Sequence, residues 1–186
     1  MYCDDNEDRF PTYNGWGGGG GRRQATPYTG GNAFSYGGQE WETNRPLNAY
    51  VQAVEVFHCP ADHGSPLAAV PNSSWEGWGN SYLMQWTDAT GFRVLGITGS
   101  LGKYVPACPP RRLSEIAQAP SNKILMADWP WQGNHDVNDP HGVWHNPPGK
   151  RIMVTLFGDF HVQFFKFPDN FSTMGMIPAD PTYLFW

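Results

Sequence analysis

Glycine and proline interrupt this chain so often that long regular elements have little room. The 22 Gly and 17 Pro among 186 residues exceed their usual share; glycine loses the most backbone freedom on folding, and proline removes a hydrogen-bond donor. A chain of this length suits one domain, so its core has to be assembled from short elements joined by long loops. Aromatic residues, with nine Trp among them, can hold such loops down because each buries much area. The stretch from Gly15 to Gly38 is the most glycine-rich. It reads as an extended surface loop pegged by Trp16, Tyr28, Phe34, Tyr36 and Trp41. Gly17 to Gly21 lacks the Lys-Ser/Thr continuation of a phosphate-binding loop and reads as a flexible linker.

Short elements can be picked out around these loops. Leu47, Tyr50, Val51 and Val54 follow an i, i+3, i+4, i+7 spacing, which predicts a short helix starting near Pro46. Ser81 to Trp86 reads as a short strand, and Leu113 to Ala117 as one or two helical turns. Lys123 to Trp129 is a continuous apolar run that ends before Pro130, as expected of a central strand buried on both sides. Arg151–Phe157 and Phe160–Phe167 are β-prone runs flanking Gly158-Asp159, which predicts a two-residue type II′ hairpin. That register faces Phe157 with Phe160, Thr155 with Val162 and Met153 with Phe164. No repeat of solenoid or propeller period is present.

The net charge is −5 and basic residues never cluster beyond pairs, which argues against nucleic-acid binding. No window approaches the roughly 20 apolar residues of a membrane span, and the opening residues have no signal-peptide pattern. Of the three cysteines, Cys59 and Cys108 are the candidate disulfide, with two unlinked thiols as the alternative.

The densest polar cluster runs from His135 to His145. Asp136, Asp139, His141 and His145 are its candidate metal ligands, suited to zinc through imidazoles or to calcium through oxygens. The spacing matches no standard signature, and the residues favour a solvated loop with turn-forming Asn and Asp. An enzyme would need a nucleophile with its base or paired carboxylates. Cys59 cannot form a dyad with adjacent His58, because neighbouring strand side chains point to opposite faces; a buried thiol or half-cystine is favoured. Asp128 and Asp159 both end strands, a place where aspartates more often cap turns. The Trp-rich loops, including Trp75-Glu76-Gly77-Trp78, suggest a glycan- or protein-binding platform, or pegs for loops without a core of their own; pegs are favoured.

Several short blocks then occur in a telling order: Tyr2 to Pro11, Arg45 to Tyr50, Phe57-His58-Cys59-Pro60-Ala61-Asp62, Asn80 to Met84, Lys123 to Asp128, and Phe157-Gly158-Asp159-Phe160-His161-Val162. Together they resemble bacterial prepilin-type, type II secretion pseudopilin-like proteins with a C-terminal H-x9-DG motif. Cys59, Pro60, Asp62, Asp128, Gly158, Asp159 and His161 are the positions that carry it. The chain departs from the pattern in having Phe160 where the family has Gly, and in a longer spacing between His145 and Asp159.

The resemblance implies an α+β pilin-like headgroup, an antiparallel sheet with long Gly/Pro/Trp-rich loops packed against a long N-terminal helix. That helix is expected to be missing here, with residues 1 to 10 as its end and Met1 internal to a longer reading frame. It further implies a structural, non-enzymatic subunit of a pseudopilus or type IV pilus-like filament, used in secretion or surface attachment. Its partners would be sister subunits, the secretion machinery and the inner membrane, with the headgroup periplasmic or extracellular. Pseudopilins that bind calcium in a C-terminal loop add weight to calcium at the polar cluster. The alternative is an extracellular glycan- or metal-binding domain.

Overall fold

A computed structural model of the chain describes residues 1–23, 36–38, 40–65 and 73–186. The elements are α1 (Tyr2–Asp5), β1 (Thr12–Tyr13), α2 (Ser74–Trp78), β2 (Tyr82–Met84), β3 (Thr90–Gly91), β4 (Val94–Leu95), β5 (Gly99–Ser100), β6 (Ile124–Asp128), β7 (Ile152–Phe157) and β8 (Val162–Lys166). Single 3-10 turns, including Pro46–Tyr50, Val54–Phe57 and Leu113–Ile116, separate them. The centre of the fold is a four-stranded antiparallel sheet of order β2-β6-β7-β8. The chain is therefore α+β, and the apolar run ending at Asp128 is an interior strand as expected. Among the described residues no helix is long and apolar enough to cross a membrane.

The helix expected from Pro46 is a single 3-10 turn whose cap, Val51, is already extended. The hairpin forms one residue out of the expected register: Leu156 pairs with Val162, Val154 with Phe164 and Met153 with Phe165. Its loop has three residues. Phe160 N–H donates to Phe157 C=O at 2.9 Å and Phe157 N–H to His161 C=O at 3.0 Å, while Phe160 lies in the left-handed region at φ 67°. This is the type I turn plus left-handed residue of longer hairpin loops. Gly158 serves packing instead, since a Cβ there would come within 2.9 Å of both Ile116 Cδ1 and the Pro120 carbonyl. A one-residue slip exchanges the faces of a strand, so Phe165, not Phe164, points into the core.

The inner face of the sheet presents Leu83, Ala127, Met153, Phe157 and Phe165, all buried, to Phe167, Phe171, Phe185 and Trp131. The outer face carries Tyr82, Met126, Ile152, Val154 and Leu156, each half-buried, and Val162 and Phe164, which are 59% and 64% exposed. Between Tyr82, Met126, Val154, Leu156 and Val162 runs a groove of ≈ 190 Å³. At the hairpin tip Phe160 shares a second, mostly apolar groove with Tyr2 and Cys3 of α1. One side of the sheet is thus sealed while the other is partly covered, with Val162 and Phe164 of the edge strand exposed.

The glycine run overturns the expectation of a flexible surface linker. Gly17 to Gly21 are buried, and they wrap the buried Arg45 guanidinium. It donates to the carbonyls of Gly17 (2.9 Å), Gly20 (2.8 Å), Gly37 (3.1 Å) and Trp78 (2.9 Å). A Cβ on Gly20 would lie 2.2 Å from Phe57 Cζ, and Gly21 sits at φ 97° with its would-be Cβ 1.8 Å from the Gly79 carbonyl oxygen. Burial of the guanidinium lowers its pKa to about 10, with Glu40 and Glu42 opposing that shift. Of the aromatic pegs, Trp16 and Tyr36 pack on the core, and Trp41 is exposed beneath the Arg23 guanidinium. Tyr28 and Phe34 lie outside the described residues.

Candidate functional site

At Cys59-Pro60-Ala61-Asp62 the sequence demands a tight turn, and Asp62 N–H closes it on Cys59 C=O at 3.0 Å. Asp62 is the hub. Its buried carboxylate accepts from the N–H groups of Gly64 (2.9 Å), Ser74 (2.8 Å) and Trp75 (2.8 Å) and from Ser81 Oγ (2.6 Å). It thereby caps the first turn of α2, where a carboxylate also suits the helix dipole. Ser81 Oγ in turn accepts from Cys59 N–H at 3.0 Å, so the turn is locked to the start of β2. Burial raises the Asp62 pKa and the four donors oppose the rise. Asp62→Asn, which places an amide hydrogen against buried donors, is expected to cost about 2 kcal/mol of unfolding free energy. Urea denaturation measures this, and a loss under about 0.5 kcal/mol contradicts the role.

Two other segments meet that turn. Asp128, the last residue of β6, pairs across to Tyr82. Its side chain lies on the outer face, where one carboxylate oxygen accepts from Val154 N–H at 2.9 Å and the other has no hydrogen-bond partner. The residue is 0% exposed, because Cys59 and the loop from His135 to Lys150 cover it. In that loop Trp144 Nε1 donates to Gly64 C=O and His141 C=O, and Asn146 Oδ1 accepts from Trp144 N–H. These anchors on either side aim the exposed ring of His145 at Cys59, with Nε2 3.2 Å from Sγ. Cys59 Sγ, His145 Nε2 and an Asp128 oxygen all lie within 4.8 Å of one another, and among the described residues this is the one group of three potential metal ligands so arranged.

Electrostatics at the cluster are those of groups kept uncharged. Burial raises the Cys59 thiol, with Asp128 and Asp62 adding to it. Asp128 is pushed up to about 7, first by burial and then by Asp62. Burial lowers His145. The Tyr82 phenol beside the thiol rises to about 12, by burial first and then by the neighbouring Cys59 and Asp128. Nucleophilic cysteines show the opposite shift, toward thiolate. Nor do the described hydrogen bonds include one from Asp128 to His145, so the carboxylate does not orient the imidazole as in a catalytic triad.

The metal set expected from the polar loop is not assembled. Asp136 accepts from Asn138 N–H and Nδ2. Asp139 caps the 3-10 turn Pro140–Gly142, accepting from His141 N–H and meeting its Nδ1, each at 2.8 Å. Both are local turn hydrogen bonds on the surface, and His145 has been carried away to Cys59. The Cys59–Cys108 disulfide is likewise not formed. All three cysteines are free thiols, since Cys59 faces His145 and Cys108 is held in a backbone bridge with Ser100 of β5. His58 stacks on Trp75 at 5.0 Å, away from the thiol.

Asp128 and Asp159 do not approach each other. Asp159, with Gly158 and His161, forms the hairpin turn, where it accepts from His161 N–H and lies against its Nδ1; that ring keeps its pKa low. Trp75 and Trp78 are buried and peg α2 onto the core rather than forming a platform. Cys59, Asp128 and His145 were each legible one at a time, but Tyr82 carries no local signal that would join it to them. Comparison of the chain with protein-family models, curated proteins and solved structures finds no significant match.

Proposed function

We propose that the chain is the headgroup of a pilin-like or pseudopilin-like assembly subunit, working by packing against sister subunits rather than by chemistry. The observation that carries this reading is the asymmetry of the sheet. An apolar stripe of half-buried Met126, Val154 and Leu156 and exposed Val162 and Phe164 lies on the outer face, and a second apolar groove lies between Phe160 and α1. Exposed apolar patches of this kind mark contact sites, and a helix running on from α1 would have such a stripe within reach. On this reading the natural protein is anchored in the inner membrane by an N-terminal helix, its headgroup on the outer side, with the secretion machinery as partner.

The test is made in cells expressing the full reading frame. Val162→Glu, a substitution at an exposed site, should change the stability of the described domain by no more than about 0.5 kcal/mol, yet abolish its recovery in sheared filament fractions. Unchanged incorporation, or an upstream sequence consisting of an ordinary cleaved signal, overturns the reading.

A further inference from the structure

We propose that Cys59 Sγ, Asp128 and His145 Nε2 form a binding site for a thiophilic divalent cation of the zinc class, clamping the Cys-Pro-Ala-Asp turn and the His145 loop onto β6. Thiolate, imidazole and carboxylate together are a donor set that suits zinc, and calcium, which takes oxygen ligands, is poorly served by it. The spacing fits. Tetrahedral zinc with bonds of about 2.3 Å to sulfur and 2.0–2.1 Å to nitrogen separates those two atoms by about 3.5 Å, and here they are 3.2 Å apart. The exposed His145 ring needs to retreat only a few tenths of an ångström to admit the ion.

A second observation is independent of that spacing. Asp128 is fully buried, and one of its carboxylate oxygens finds no donor, an arrangement that costs free energy unless something compensates it. A second buried acid, Cys59, stands next to it, with Sγ and an Asp128 oxygen within 4.8 Å of each other. A divalent cation offsets the two charges of a Cys59 thiolate and an Asp128 carboxylate, whereas hydrogen bonds elsewhere already satisfy Asp62. Three protein ligands leave the fourth tetrahedral position for water or another small donor. The Tyr82 phenol lies beside the sulfur.

The test uses untagged, chelator-treated protein under reducing conditions, titrated with Zn²⁺ and with Co²⁺ as a spectroscopic substitute. Expected are one equivalent bound, a thiolate-to-cobalt charge-transfer band in the near ultraviolet, strong visible bands of tetrahedral cobalt, and a zinc-dependent rise in melting temperature. Cys59→Ser should abolish the charge-transfer band. His145→Ala, which alters an exposed side chain and so leaves the fold intact, should weaken zinc at least tenfold, while His141→Ala changes nothing. Absence of the cobalt band, or zinc binding undiminished in His145→Ala, overturns the site. Neither result bears on filament incorporation, which is read separately through Val162→Glu.

Discussion

Arg45→Met is expected to lower the unfolding free energy by on the order of 3–5 kcal/mol, read as a shift of the urea midpoint at unchanged slope. The methionine matches the aliphatic stem but carries no donors, so four buried carbonyls each lose a charged donor. Asn80 Nδ2 still reaches Gly20 C=O at 3.2 Å and, weakly, Gly17 C=O at 3.5 Å, and Glu40 N–H still donates to Gly37 C=O at 3.0 Å, so the penalty is chiefly the loss of four charge-assisted bonds that tie separate segments together. Relief from burying a cation offsets part of it. Arg45→Lys should restore little, because a single ammonium cannot serve carbonyls spread over a planar fork. A loss below about 1 kcal/mol in the methionine variant would mean that the glycine run holds its shape without the guanidinium.

His135→Leu should flatten the acid limb of the stability curve. The imidazole is 4% exposed and neither ring nitrogen has a hydrogen-bond partner; the Gln132 backbone lies nearby, outside bonding geometry. Burial, and then the Arg151 charge, lower its pKa from 6.5 to about 3. In the folded state the ring stays neutral until about pH 3, whereas in the unfolded chain it takes a proton below about pH 6.5. The unfolded state therefore binds more protons throughout that window, and stability falls as pH drops through it. At pH 4 the wild-type chain should have lost on the order of 3 kcal/mol through this residue alone. Unfolding free energies at pH 7 and pH 4 for the two proteins isolate the effect, since the carboxylates are common to both. Equal losses in wild type and variant would contradict the assignment.

The sheet was legible because its signals are local. A continuous apolar run ending at a proline marked β6, and two β-prone runs around a Gly-Asp marked the last hairpin. Its register was not legible, because the turn depends on Phe160 accepting a left-handed backbone and on Gly158 being needed for contact with Ile116. Nor did the sequence reveal how so much loop is held. Three buried basic side chains do that work of satisfaction: Arg45, Arg151, whose guanidinium donates to the carbonyls of Pro130, Trp131, Gln132 and His135, and Lys123, whose Nζ donates to those of Leu95, Ile124 and Trp186. In a fold with few ladders, backbone carbonyls still need partners, and here side chains from distant segments supply them. Read along the chain these residues contribute only to net charge. The cluster of Cys59, Asp128 and His145 was invisible for the same reason: a turn, a strand end and a loop bring it together, and no spacing encodes it.

The buried guanidinium also changes what residues 17 to 21 are. By its letters this stretch resembles a spacer, the part of a protein that tolerates lengthening and exchange. Yet at Gly20 a single methyl would collide with the Phe57 ring, and at Gly21 both the dihedral and the Gly79 carbonyl forbid one. The plainest five letters of the chain are a keystone cut to the shape of its neighbours, with no freedom to drift.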